Sequence, residues 1–228
     1  MPVETTAVPA LAWGLVAVTA LLDWWAVARE DRRTEALVKP VVLLALTAAA
    51  LAGGVLDTTA GRWLVVALLL GAVGDTFLLG DSRGRFLAGL AAFLVGHLAY
   101  VAAFVALGAG WSWWVAAAAV VLLGSLAATR TVLPRVLRDD GPATALPVAV
   151  YTAVIGAMLL TAGATGEPLV VVGAAVFVVS DTVLALDRFD RPRGWVAPYP
   201  HVAVMTTYHV GRVLIVLGVL AALARGEG

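Results

Sequence analysis

Cysteine is absent from this chain, and charged residues are scarce. Without thiols the chain can form no disulfide, no thiolate metal site and no cysteine nucleophile. Only 13% of its 228 residues are charged, whereas about a quarter is usual in a soluble domain. Because 62% of the residues are hydrophobic and the mean hydropathy is +0.98, the composition predicts an integral membrane protein.

Several motifs that would indicate other chemistry are also absent. The sequence has no phosphate-cradling glycine loop, no Gly-x-Ser-x-Gly nucleophile elbow and no nucleic-acid-binding patch. Its three histidines lack the spacing of a metal site, so neither a metal nor a cofactor is expected. No basic segment precedes the first apolar run, which argues against a cleaved signal peptide.

The hydrophobic residues fall into eight runs that are separated by short charged or Gly/Pro-rich breaks. A transmembrane helix needs about 20 mostly apolar residues, and the runs are close to that length. We therefore predict a single domain over residues 1–228, an all-α bundle of eight transmembrane helices. The predicted helices are Val8–Ala28, Lys39–Val55, Trp63–Leu79, Arg85–Leu107, Trp111–Leu133, Pro142–Ala164, Pro168–Leu186 and Tyr199–Ala224.

The basic residues are distributed unevenly between the loops of this bundle. The odd-numbered loops, with Lys39 at the predicted start of the second helix, hold 12 of the 15 basic residues. The opposite face holds only Arg62 and Arg225, and Arg212 lies within a helix. Because cytoplasmic loops carry the excess of Arg and Lys, this pattern predicts that both termini lie outside.

One short pattern occurs twice, as DTFLLGD at Asp75–Asp81 and as DTVLALD at Asp181–Asp187. The two copies lie four helices apart and therefore run in the same direction, which predicts a parallel 4+4 pseudo-repeat. Both first acids would lie roughly 7 Å from the cytoplasmic end of their helix, at the rise of an α-helix. The second acids, Asp81 and Asp187, are interpreted as helix-end residues among arginines.

Asp75 and Asp181 are the predicted catalytic residues. A carboxylate within hydrocarbon is costly and marks a functional site by default, although an arginine partner or snorkelling to the interface would also accommodate it. Two carboxylates close together cannot both ionise easily, so a pair supplies an acid and a base in one site. Small residues that would permit close helix packing beside the acids are Gly71, Gly74, Gly173 and Ser180.

Four further side chains are candidates to support the pair. His97 and Tyr100 share a face of the fourth helix at i, i+3 spacing, where His97 would relay a proton, orient a carboxylate or serve only the structure. Tyr208 and His209 on the eighth helix are candidates to orient the aspartates. Tyr151 on the sixth helix is interpreted as a packing residue.

Two cations are candidates for contact with a substrate headgroup. Arg212 lies deep inside the eighth helix and needs a partner, either an aspartate of the pair or a substrate phosphate, which a guanidinium binds bidentately. Lys39, with Pro40 in the first turn of the predicted second helix, would either snorkel to the cytoplasmic face or contact a phosphate.

At these residues the chain resembles the YhhN-like, or lysoplasmalogenase, family of membrane proteins. The resemblance covers nearly the whole chain, and each motif is weak alone. Two departures stand out, because a Ser is expected where Gly71 stands and a Gln where Arg212 stands. The matching positions are Lys39-Pro40, Gly74-Asp75, Leu78, Phe86, Gly89, Phe93, His97, Tyr100, Pro147, Tyr151, Met158, Ser180-Asp181, Tyr208 and Leu214-Ile215.

The resemblance implies an eight-helix hydrolase that cleaves the vinyl ether bond of lysoplasmalogen. The products would be a fatty aldehyde and glycerophosphoethanolamine or glycerophosphocholine, and the family's two proposed catalytic aspartates fall on Asp75 and Asp181. The implied partners are a lysophospholipid or ether-lipid substrate and the lipids of the cell membrane, with no obligate protein partner. The alternatives are a small multi-pass transporter and a lysolipid-binding protein without hydrolase activity.

Overall fold

The structure is a computed structural model that describes residues 4–80, 82–189 and 200–226. Seven of the helices in these ranges are long and apolar enough to cross a membrane, and the bent pair α5–α6 would be an eighth span. The predicted multi-pass helical bundle is thereby confirmed, whereas the side on which the termini lie stays a prediction. The helices are α1 Glu4–Ala28, α2 Arg32–Ala52, α3 Thr59–Leu78, α4 Arg83–Leu107, α5 Trp113–Ala128, α6 Val132–Asp139, α7 Pro142–Thr165, α8 Pro168–Phe189 and α9 Pro200–Gly226, with a 3₁₀ turn at Val55–Asp57.

The predicted fifth helix, Trp111–Leu133, is wrong in its extent. The chain leaves α5 after Ala128 and re-enters a helix at Val132, with a bend of 42° between α5 and α6. Pro134 cannot donate a backbone hydrogen bond, and a helix tolerates it best in the first turn, which is its place in α6. The short helix α6 is amphipathic, and it buries Val132 and Val136.

The second helix begins a full two turns earlier than predicted. Asp31 caps its N-terminus by accepting hydrogen bonds from the backbone N–H groups of Arg33 and Thr34, as Asp commonly does at this position. The side-chain hydroxyl of Thr34 also donates to Asp31 and lowers the pKa of this carboxyl. Lys39 therefore lies inside α2 rather than at its mouth, where the run of charged residues suggested a helix start.

Glycine allows the helices of each half to pack closely. The helix α3 packs against α4, and a β-carbon at Gly74 would come within 2.7 Å of the Phe93 ring. The helix α8 packs against α9, where a β-carbon at Gly173 would come within 2.6 Å of the Gly211 carbonyl oxygen. The predicted role of Gly74 and Gly173 in close packing is therefore confirmed.

Both halves of the chain share details around the repeated motif. Thr76 and Thr182, which follow the two aspartates, each donate a hydrogen bond to the carbonyl four residues earlier. Asp187 lies near the end of α8, as predicted, and its carboxylate is 3.6 Å from Nε2 of His201. Asp81, residues 190–199 and the predicted helix start at Tyr199 lie outside the described residues.

Candidate active site

A cavity of about 530 Å³ opens among the described helices, and both Asp75 and Asp181 line it. Its walls are mostly apolar and come from α3, α4, α5, α6, α7, α8 and α9, with Lys39 contributed by α2. The apolar lining includes Leu78, Leu90, Phe93, Leu122, Leu126, Leu133, Ile155, Val178, Leu184 and Met205. Such a space suits a hydrocarbon chain beside a few convergent polar groups.

Asp75 is held by a tyrosine from another helix. Its side chain on α3 is 1% exposed, and Oδ2 accepts a hydrogen bond of 2.7 Å from the hydroxyl of Tyr208 on α9. Tyr208 lines the same cavity. The prediction that Tyr208 contacts the aspartate pair agrees with this geometry.

Asp181, which lines the same cavity, has a matching arrangement. The hydroxyl of Tyr151 on α7 donates a hydrogen bond to Oδ2 of Asp181 on α8. Asp181 is half-buried, whereas Asp75 is buried. The interpretation of Tyr151 as a packing residue is wrong, because its hydroxyl binds Asp181. An intramembrane carboxylate needs a donor, but the sequence does not show which helix supplies it.

The two aspartates therefore face one space, and each accepts a hydrogen bond from its own tyrosine. They lie close enough to interact electrostatically. Each hydrogen bond fixes the direction in which its aspartate points. The cavity consequently holds two oriented carboxyl groups in a mostly apolar space.

Arg212 occupies the centre of an aromatic cluster rather than the cavity wall. Its guanidinium carbon lies 4.7 Å from the centroid of the Tyr208 ring and 4.9 Å from that of Phe177, and Nη1 donates a hydrogen bond to the Tyr100 hydroxyl at 3.3 Å. The side chain is 1% exposed and does not line the cavity. The predicted contact with a headgroup is therefore not supported by the geometry.

The predicted ion pair of Arg212 is replaced by contacts with aromatic faces. Within the described ranges, no ion pair within 4.0 Å joins Arg212 to Asp75 or Asp181. Cations bind favourably over aromatic rings, more strongly where water is excluded. Arg212 still interacts electrostatically with both aspartates, so its charge contributes to the field in the cavity.

His97 and Tyr100 lie behind the cavity and do not line it. Nδ1–H of His97 donates to the Phe93 carbonyl at 2.6 Å, which leaves Nε2 as an acceptor that has no hydrogen-bond partner among the described residues. The imidazole packs edge-to-face on Tyr151, with ring centroids 5.4 Å apart. His97 thus supports the tyrosine that holds Asp181, and Tyr100 supports Arg212.

His209 faces away from the cavity, toward the first helix. Its Nδ1 accepts a hydrogen bond of 3.0 Å from Nε1–H of Trp24, so its proton is on Nε2, which lies 3.9 Å from Oδ2 of Asp23. Asp23 is completely buried, and neither of its carboxyl oxygens has a hydrogen-bond partner in the part of the chain described. His209 was predicted to orient the catalytic pair, whereas the structure places it in this separate cluster.

The sequence contained a signal for Asp23 that the prediction missed. Asp23 lies within the first apolar run, so the rule that singled out Asp75 and Asp181 applies to it equally. It does not belong to the repeated motif, and the prediction considered only the acids of that motif. No comparable signal marks Trp24.

Lys39 is a buried cation that interacts with two buried acids. It is 8% exposed, lines the cavity and interacts electrostatically with both Asp23 and Asp75. Its Nζ lies 4.0 Å from a carboxylate oxygen of Glu35, one turn earlier on α2. Since the helix begins at Arg32, the side chain is enclosed by the bundle and does not snorkel from a helix end.

The protein is thus a multi-pass helical membrane protein that holds two carboxyl groups in one mostly apolar cavity. The family model described as the YhhN family matches residues 34–219, and the chain belongs to that family. No solved structure matches this chain.

Several curated proteins named lysoplasmalogenase are similar to the chain. It is 38% identical to human lysoplasmalogenase TMEM86B over 154 residues, which are 68% of this chain and 62% of the human protein. It is 32% identical to the Mycobacterium tuberculosis lysoplasmalogenase over 69% of this chain and 60% of that protein. The rat TMEM86B is 32% identical over 90% of this chain and 82% of its own length. The matched region thus spans less than two thirds of the human and mycobacterial relatives.

Proposed function

We propose that this protein is a membrane-embedded hydrolase that cleaves the vinyl ether bond of lysoplasmalogen. The observation that carries the proposal is that Asp75 and Asp181, each oriented by a tyrosine, face one cavity with mostly apolar walls. Relatives that are named lysoplasmalogenase support the same activity. The products would be a fatty aldehyde and glycerophosphoethanolamine or glycerophosphocholine.

The reaction begins with proton transfer to carbon. One carboxylic acid of the pair protonates the terminal carbon of the vinyl ether, and the positive charge that develops on the ether carbon and oxygen is stabilised by the other carboxylate. This use of two carboxyl groups follows the logic of glycoside hydrolysis, in which an oxocarbenium ion also forms between an acid and a base.

Water then completes the cleavage. The carboxylate removes a proton as water adds to the cationic carbon, which gives a hemiacetal. The hemiacetal collapses when its hydroxyl loses a proton and its glycerol oxygen gains one, so that one water is consumed for each aldehyde and alcohol released. Because the aspartates act as a coupled pair, we assign the two roles to the pair and not to individual residues.

The surrounding side chains have positioning roles in this proposal. Tyr208 and Tyr151 hold the aspartates in fixed orientations by their hydrogen bonds. Lys39, the predicted headgroup ligand that lines the cavity, places a positive charge near Asp75. Arg212 packs against the Tyr208 ring and adds its positive charge to the electrostatic field in the cavity. The site would act within the cell membrane, and we propose the bacterial inner membrane as its location.

Product release from the purified protein tests the activity. Protein in detergent is incubated with lysoplasmalogen, and fatty aldehyde and glycerophosphoethanolamine are measured by mass spectrometry. We expect stoichiometric release of both products. A transporter would show no turnover without a sealed membrane, and a lysolipid-binding protein would retain intact ligand after long incubation, so either result would overturn the proposal.

A further inference from the structure

We propose that Arg130 and Arg188, which line the cavity, form a subsite for the phosphate of the substrate. The inference rests on the proposed function and specifies how its substrate is recognised. Both arginines line the cavity that contains the aspartates. Neither was among the residues predicted to contact a headgroup, because in the sequence both lie among the arginines of loops that are predicted to be cytoplasmic.

Arg188 and Asp181 project from the same face of α8. They are seven residues apart, which is two helical turns, and Leu184 and Ala185 between them line the cavity as well. The rise of an α-helix separates the two positions by roughly 10 Å along the axis. The helix therefore presents a carboxyl group and a guanidinium at a fixed spacing along one wall.

That spacing matches a phospholipid whose labile bond is at the first glycerol oxygen. Seven bonds join the terminal vinyl carbon to the phosphorus, and bonds of about 1.5 Å give an extended length of roughly 8–9 Å. A vinyl carbon at the aspartates would therefore place the phosphate within reach of Arg188. The same spacing between Asp181 and Arg188 does not suit a lipid whose phosphate is attached directly to the group that reacts.

The guanidinium of Arg188 is held by an aromatic ring. Its central carbon lies 4.0 Å from the centroid of the Phe86 ring, and Phe86 also lines the cavity. A ring that covers one face of a guanidinium leaves the N–H groups at its edge, and arginine binds phosphate oxygens bidentately through that edge.

Arg130 reaches the same cavity because the fifth span is broken. It lies in the turn between α5 and α6, and its neighbours Thr129 and Val132 line the cavity with it. It forms no ion pair with an acid among the described residues. The break in the helix thus supplies a second cation to the cavity lining.

The lining also indicates which part of the headgroup is recognised. Among the described residues that line the cavity, the carboxylates are Asp75 and Asp181, and both belong to the reaction site. The described lining offers no third carboxylate that could bind an ammonium group. We therefore expect the subsite to accept ethanolamine and choline headgroups equally and to require only the phosphate.

The test compares two substrates that differ in the phosphate. Arg188→Gln and Arg130→Gln are assayed with lysoplasmalogen and with the corresponding 1-alkenyl glycerol. We expect each variant to raise KM for the phospholipid about tenfold with kcat within about twofold, since one charge-assisted contact is of that order. KM for the alkenyl glycerol should not change. Arg138→Gln, on an exposed arginine that pairs with Asp139 outside the cavity, is the matched control.

A binding measurement separates this proposal from the proposed function. The Kd of a saturated 1-alkyl lysophospholipid, which has no vinyl ether to cleave, is measured for the wild type and the same variants. A tenfold weaker Kd in Arg188→Gln and Arg130→Gln supports the subsite even if no hydrolysis occurs. Equal losses with both substrates, or an unchanged Kd in both arginine variants, would overturn the subsite while leaving hydrolysis intact.

Discussion

The guanidinium of Arg212 lies directly against Gly71, at a point where no β-carbon fits. A β-carbon at position 71 would come within 2.6 Å of Nη1 and 3.0 Å of the central guanidinium carbon. The two positions at which the chain departs from its family resemblance are therefore neighbours in space. Glycine at 71 makes room for arginine at 212, whereas the expected pair of Ser and Gln would fill the same volume differently.

This contact predicts a non-additive effect of mutations. Gly71→Ser should destabilise the protein by about 1–3 kcal/mol, the usual range for overpacking, because aromatic rings confine Arg212 and prevent it from moving aside. Arg212→Gln alone should also destabilise it, since the rings lose their cation. The double variant should recover about 0.5–3 kcal/mol relative to the sum of the single effects. Unfolding of the wild type and the three variants in detergent measures these free energies. Strictly additive effects would contradict the proposed coupling.

The hydrogen bonds from the two cavity tyrosines lead to a second prediction, on catalytic efficiency. Tyr208→Phe and Tyr151→Phe keep the rings and remove the hydrogen bonds to Asp75 and Asp181. Because a hydrogen bond to a charged group contributes about 1.5–3 kcal/mol, kcat/KM should fall roughly tenfold to a hundredfold in each. Chromatography of the purified variants checks that the fold is retained. Wild-type kcat/KM in both would show that the tyrosines do not position the acids.

Proton transfer to carbon can be observed directly. In heavy water the aldehyde should carry one deuterium on the carbon next to its carbonyl group, because that carbon receives the proton from the carboxylic acid. Mass spectrometry of trapped aldehyde measures this label, with unlabelled water as the control. Aldehyde without deuterium would exclude protonation at carbon as the first step.

The buried cluster on α1 predicts an effect on stability rather than on turnover. Asp23→Asn removes a charge that has no hydrogen bond among the described residues, so the free energy of unfolding should stay the same or increase. His209→Phe should destabilise the protein by about 1–3 kcal/mol, because Nε1–H of Trp24 loses its acceptor. Strong destabilisation by Asp23→Asn would contradict this expectation and show that the carboxyl group makes a stabilising interaction.

The fold follows closely from the sequence because a membrane limits the choices. Seven predicted helices agree with the structure, since about 20 apolar residues can hardly form anything else in a bilayer. The errors lie where local chemistry decides a helix end. Asp31 caps α2 two turns before the apolar run begins, and Pro134 is accommodated by starting a new helix.

The candidate site was only partly predictable, for a different physical reason. The free-energy cost of a carboxylate inside the membrane singled out Asp75 and Asp181, and both line one cavity. Their partners come from helices distant in sequence, so no spacing rule identifies Tyr151 as a donor to Asp181. The side-chain direction of His209 depends on how α9 packs on α1, and the same holds for the aromatic enclosure of Arg212.

Turnover of the amide variants of Asp75 and Asp181 shows whether these two residues carry out the hydrolysis together. Asp75→Asn, Asp181→Asn and the control Asp187→Asn, which alters a helix-end acid outside the cavity, are purified and assayed for aldehyde release from lysoplasmalogen. We expect the two cavity variants to lose at least about a hundredfold in kcat, while Asp187→Asn keeps the wild-type rate. A wild-type rate from folded Asp75→Asn or Asp181→Asn would contradict this expectation.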